Sequence, residues 1–124
     1  MDKKESTIKE YFLAWLDNDP SCLEEIFHDN IVYSECYGPE YHGLHQIRQW
    51  FNEWNQHGRV LAWDIKQFLH QGHTVAVEWY FRCIYDGVTD GFDGVSIIEF
   101  NSDDKIILLK EFQSKSEHEY PYGE

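Results

Sequence analysis

Between Ile31 and Tyr37 apolar and polar residues alternate, so Ile31, Tyr33, Glu35 and Tyr37 share one face of an expected strand and Val32, Ser34 and Cys36 share the other. A carboxylate flanked on its own face by two phenols is suited to acid–base chemistry. Apolar surroundings raise a carboxyl's pKa toward neutrality, where it can both give and accept a proton. The structural alternative is that Glu35 simply hydrogen-bonds a helix end or a tyrosine hydroxyl. Other reactive residue types are less well placed. His42-x-x-His45 straddles a loop and a helix start, and His70-x-x-His73 spans a hairpin turn. Neither pair has i, i+4 spacing on a helix and no third ligand lies nearby in sequence, so no metal is expected. Cys36 has the strand parity opposite to Glu35 and no evident activating partner, which makes it a buried thiol. The acidic run from Asp86 to Asp93 lacks the spacing of an EF-hand loop.

The elements that must position Glu35 follow from periodicity. Ile8, Tyr11, Phe12, Trp15 and Leu16 fall at helical spacing, and Thr7-x-x-Glu10 has capping-box form, which predicts an amphipathic helix over 7–16. Asp19 is placed to cap a short second helix beginning at Pro20 and carrying Leu23, Ile26 and Phe27. After the strand at 31–37, Gly38, Pro39 and Gly43 mark a loop. Leu44, Ile47, Trp50, Phe51 and Trp54 then predict a third helix ending at His57-Gly58, with an aromatic buried face. The remainder reads as strands at 59–70, 73–85, 92–100 and 105–116, joined by short turns and a loop with Gly87 and Gly91: an antiparallel meander. Both faces of these strands are fairly apolar, so one can pack on helices and the other on a second subunit.

Composition bounds the remaining possibilities. With 124 residues, 42% of them hydrophobic and 17% aromatic, the chain can bury the core of one ordinary domain. Its 10 basic and 23 acidic residues give a net charge of −13, a field that repels nucleic acid. The lysines near the N-terminus are followed by no apolar run, and no stretch approaches the roughly 18 apolar residues of a membrane span. Three cysteines without a C-x-x-C pair fit a reducing compartment. A cytoplasmic protein is expected.

Helix, helix, strand, long helix and then a meander is an order similar to the SnoaL-like or nuclear-transport-factor-2-like (NTF2-like) α+β cone. The resemblance covers residues 5–116, with 117–124 as C-terminal coil in a single domain of 1–124. It rests on Phe27 to Tyr33, Tyr37 to Gly43, Val77 to Phe81, Phe92 to Ser96 and Leu109 to Phe112. What it implies is three N-terminal helices packed on a strongly curved antiparallel sheet, a funnel between them, and a homodimer through the outer sheet face. The closest likeness is to small bacterial SnoaL-like proteins without an assigned activity, in a fold that hosts both enzymes and binding modules.

Two enzyme families of this fold extend the resemblance residue by residue. Overlaid on ketosteroid isomerases, Glu35 takes the general-base position, but Phe12 falls where they have an oxyanion-hole tyrosine and Ser96 where they have a protonated aspartate. Such donors are worth about 3–4 kcal/mol each, so that chemistry is disfavoured. Overlaid on limonene-epoxide-hydrolase-like enzymes, Tyr33 and Glu111 match a tyrosine and the last-strand aspartate. Glu35 replaces an asparagine, and Trp79 and Phe81 replace the arginine and second aspartate of the proton shuttle.

Both overlays turn Tyr33, Glu35, Trp79, Phe81, Ser96 and Glu111 toward the funnel, and parity adds Tyr37, Leu109 and Gln113. Phe12, Trp15, Trp54 and Trp63 complete an aromatic box around two carboxylates. The structural alternative for Glu111 is a surface pairing with Arg82 or Lys110. The expected function is cofactor-independent isomerisation, cyclisation or hydration, with Glu35, Glu111 and Tyr33 as the catalytic residues. The alternative is a non-catalytic ligand-binding or dimerisation module. A neutral or cationic ligand is expected ahead of an anionic one.

Overall fold

In the computed structural model, which describes residues 2–123, helix α1 spans Lys3–Asp17. It begins earlier than the apolar spacing predicts because Asp2, not Thr7, caps it: the Asp2 carboxylate accepts from the Glu5 N–H at 3.0 Å. Thr7 lies inside the helix and donates to the Lys3 carbonyl. Asn18, in the left-handed region at φ 51°, ends the helix. The second helix is also corrected. Asp19 accepts from the Ser21 N–H within a turn, and α2 occupies only Leu23–Ile26, leaving Phe27 to open the first strand.

Strand β1 runs Phe27–Ser34, ending three residues before the alternation does. A short β2, Glu40–His42, lies in the stretch expected to be loop and pairs antiparallel with β1. Helix α3 is Leu44–His57. The meander follows as β3 (Gly58–Gln71), β4 (Thr74–Tyr85), β5 (Val88–Phe100) and β6 (Ile106–Ser114). Gly91 is part of β5, and the β4–β5 turn is Asp86-Gly87, with both residues at positive φ.

The strand order is β2-β1-β6-β5-β4-β3. The expected strongly curved antiparallel sheet is not what forms: the six-stranded sheet is not strongly curved, and it is mixed because β6 runs parallel to β1, with Tyr33 opposite Leu109. The three reversals from β3 to β6 decide the direction in which β6 arrives beside β1. Side-chain alternation carries no information about that direction.

Register assembles the inner face. Trp79 is opposite Gly94 and Ile65, Phe81 is opposite Phe92 and Trp63, and Ser96 is opposite Val77 and Glu111. Directly opposed residues share a face, so Trp79, Phe81, Ser96 and Glu111 lie on one side of the sheet. The helices cover that side. Ile8, Tyr11, Phe12 and Trp15 of α1 and Ile47 and Phe51 of α3 are buried against it. Each such burial contributes roughly 2–3 kcal/mol of hydrophobic stabilisation.

Candidate functional site

Beyond Ser34 the chain leaves the sheet in a turn. The Glu35 N–H donates to the Pro39 carbonyl at 2.9 Å, and the Gly38 N–H, at φ 112°, donates to the Glu35 carbonyl at 3.0 Å. Parity therefore stops applying, and Glu35 and Cys36 both line the space under the helices, correcting the opposite placement of Cys36. Tyr37 is half-exposed at the mouth, edge-on to Phe92 with ring centroids 5.8 Å apart.

Under the helices lies a narrow chamber of about 40 Å³. That is room for a few water molecules at ~10–15 Å³ each. Tyr33, Glu35 and Glu111 line it, as do Trp15, Trp54, Trp63, Trp79 and Phe81. It adjoins an open vestibule of about 670 Å³, with Glu35, Tyr37, Trp50 and Trp54 common to both.

Four residues expected in the walls stand elsewhere. Phe12 lies behind the wall, stacked on Trp63 at 3.8 Å between ring centroids. Ser96 is buried and accepts the Trp79 indole N–H at 2.9 Å, fixing that ring. Leu109 is in the core, and Gln113 is exposed at the end of β6, its amide 3.5 Å from the Cys36 carbonyl. Ser96→Ala is expected to cost about 1–3 kcal/mol in denaturant unfolding, because it leaves the buried Trp79 N–H unpaired. An unchanged midpoint would refute that role.

Trp50, Val60, Phe92 and Cys36 also line the chamber and escaped the sequence reading. Trp50 was findable, standing one helical turn before Trp54 on α3. Val60 and Phe92 needed the strand register, and Cys36 the turn.

The polar groups form a chain. The Tyr11 hydroxyl donates to that of Tyr33 at 2.7 Å, and the Tyr33 hydroxyl donates to Oε2 of Glu111 at 2.5 Å. The Cys36 N–H reaches Oε1 of Glu111 at 3.4 Å. Glu111 thus bonds Tyr33 rather than Arg82 or Lys110. Phe12 took the helix tyrosine's place in the isomerase overlay, yet the preceding residue, Tyr11, supplies a hydroxyl to the network. Glu35 accepts from the Tyr41 hydroxyl at 2.9 Å.

Burial sets the electrostatics. The Glu111 carboxyl is pushed up to about 7, first by desolvation and then by the Glu35 charge, against the lowering effect of the Tyr33 hydrogen bond. Desolvation also raises Glu35, opposed by its bond from Tyr41. Tyr11 and Tyr33 are held well above the usual phenol range by burial and by Glu111, so they donate protons in hydrogen bonds and stay neutral. Burial, then Glu111 and Glu35, push the Cys36 thiol up to about 12, which makes it a poor nucleophile. The Trp63 indole nitrogen is buried without a hydrogen-bond partner among the described residues. Outside this site, Asp2, Glu5 and His70 bring potential ligand atoms within 4.8 Å of one another at the surface, with His70 bonded to Glu5 at 2.6 Å.

A chamber with an aromatic lining, one carboxyl near neutrality and a second carboxylate beside it can transfer protons on a small molecule. Several solved structures share this architecture. An LEH-like epoxide hydrolase from M. tuberculosis is 14% identical, with 90% of this chain and 82% of that chain covered at a TM-score of 0.79. A protein with a ketosteroid isomerase-like fold from Catenulispora acidiphila, in complex with trimethylamine, is 17% identical, covering 87% and 85% at 0.77. A candidate SnoaL-like polyketide cyclase from Shewanella putrefaciens is 11% identical, covering 91% and 90% at 0.78. At these identities the likeness is one of fold. No curated protein matches the chain significantly in sequence. The model of the SnoaL-like domain matches residues 8–109, and the chain belongs to the SnoaL-like family.

Proposed function

We propose that the site binds a small, mostly apolar organic molecule and moves a proton on it without a cofactor, as an isomerase, cyclase or hydratase does. The observation that carries this reading is Glu111, a carboxyl near neutral pKa held by Tyr33 in an aromatic chamber beside Glu35. Two carboxyls whose surroundings separate their pKa values divide the roles of acid and base. Glu35, raised less, is the base. Glu111 is the acid: Tyr33 donates to Oε2 at 2.5 Å while the Cys36 N–H reaches Oε1 only at 3.4 Å, so Oε1 carries the transferable proton. The body of the ligand occupies the vestibule and its reacting end enters the chamber.

The narrowness of the chamber favours a second reading, a binding module in which the ligand stays in the vestibule. A thermal-shift screen over small cyclic ketones, terpenoids, polyketide fragments and aromatic acids finds the ligand class. At 100 times its dissociation constant a ligand adds about 2.7 kcal/mol. Hits are then incubated in deuterated water and followed by proton NMR. Deuterium incorporation or conversion that falls by about 10²–10⁴ in Glu35→Gln, with binding retained, supports proton transfer. Binding without exchange would leave the module reading in its place.

The same proposal includes a homodimer through the outer sheet face. Leu69 and Ile97 flank Ala76 there, Phe112 is opposite Val95, and Leu69, Ile97 and Phe112 are all exposed.

A further inference from the structure

The walls of the site carry a charge asymmetry that proton transfer alone does not require. Glu35 and Glu111 reach the chamber, Glu53 and Asp90 line the vestibule with Glu35, and no Lys or Arg lines either space. The vestibule's His57 is engaged with Asp86 at 3.2 Å. On the rest of the surface some carboxylates do have a lysine or arginine partner, as in Lys4–Asp104, Arg48–Glu24 and Lys66–Asp93. None of the ion pairs found among the described residues includes the four carboxylates of the site. Their hydrogen bonds come from neutral donors: Tyr41 to Glu35, Tyr33 to Glu111, Gln49 to Glu53 and the Gly91 N–H to Asp90.

Trp50 and Trp54 form the passage between the two spaces. Tyr41, which holds Glu35, is stacked on Trp50 with centroids 4.6 Å apart. Aromatic walls beside unmatched carboxylates suit an alkylated ammonium group. Its charge is spread over methyl or methylene groups, is attracted by the ring quadrupoles and leaves water at small cost. An anion here would meet Glu35, Glu53 and Asp90 with no lysine or arginine to offset them, and a neutral ligand would gain only buried area.

We propose that the ligand is an organic cation, a substituted ammonium seated between Trp50 and Trp54 with Glu35, Glu53 and Asp90 as its counter-charges. This rests on the reading of the pocket as a small-molecule site and names the ligand's class.

The test titrates the full chain, labelled with ¹⁵N, with choline and separately with 3,3-dimethylbutan-1-ol, its uncharged carbon isostere, following the indole N–H resonances. Choline is expected to bind about ten times more tightly at low salt. The advantage should shrink as salt rises and shrink again in Glu53→Gln and Asp90→Asn, both at exposed positions of the rim. Equal affinity for the two probes overturns the charge assignment and leaves the pocket reading standing. Absence of saturable binding by either probe also overturns it, and the cation-free screen above then decides the pocket reading by itself.

Discussion

Glu111→Gln is expected to be more stable than the natural protein at pH 8 while losing the proton transfer proposed above. The folded protein holds the Glu111 carboxyl at about 7, against 4.5 for an unperturbed glutamate. Between those values the native state binds more protons than the unfolded chain, so stability falls as pH rises. The contribution of the neutral carboxyl is fully present below pH 4.5 and is lost as pH rises through about 7. A displacement of this size corresponds to about 3 kcal/mol.

Glutamine cannot ionise, yet its carbonyl can still accept the Tyr33 hydroxyl. The variant should therefore keep above pH 7 the stability that the natural protein loses, worth roughly 10 °C in melting temperature for a domain of this size. Thermal and urea unfolding at pH 5 and pH 8 measure this. The natural protein should show a marked drop between the two, steepened by the upward shift at Glu35, and the variant a shallower one. A variant less stable than the natural protein at pH 8 would mean that the charged carboxylate is well accommodated, and the acid role of Glu111 would fall with that result. The expected combination, gained stability with lost turnover, is that of a buried ionisable group retained for chemistry.

Gly94→Ala is expected to be among the most damaging substitutions of a single methyl group, costing about 3 kcal/mol. The backbone of Gly94 is not in the left-handed region, so the conflict is one of space. A Cβ there would overlap the six-membered ring of Trp79 and stand 2.6 Å from the Phe112 carbonyl oxygen. That carbonyl belongs to the β5–β6 pairing and cannot withdraw without breaking the ladder. Trp79 must move as well, which removes its bond to Ser96 and dislodges one wall of the chamber. Urea unfolding measures the cost, and the near-ultraviolet circular dichroism of the tryptophans reports the displaced ring. A variant within about 1 kcal/mol of the natural protein, with unchanged aromatic signals, would show that the sheet yields at this point.

Local pattern made much of the fold legible. Helical spacing located α1 and α3 because an amphipathic helix must put its apolar side chains on one stripe. The start of α1 lies ahead of the one expected: Thr7 has the chemistry of a cap, but so does Asp2, five residues earlier, and the helix extends to meet it. Strand β2 was missed because its three residues are too few to show a period, and its partner β1 had been read as extending through Tyr37.

For the site, the sequence by itself determined which side chains of one strand share a face, as Trp79 and Phe81 do, because alternation along a strand holds whatever the strand pairs with. That Tyr33, Trp79, Phe81, Ser96 and Glu111 lie together was implied by the resemblance, and it is the register between strands that brings it about. Only the tertiary structure decided depth, direction and contact. It ran β6 parallel to β1, turned the chain at Glu35 so that Cys36 faces inward, and set Phe12 behind Trp63 rather than in the wall. It also brought Glu111 to the hydroxyl of Tyr33, 78 residues away along the chain. The physical reason is that a carboxyl's pKa depends on the solvent and charge around it, and those neighbours come from strands far apart in sequence.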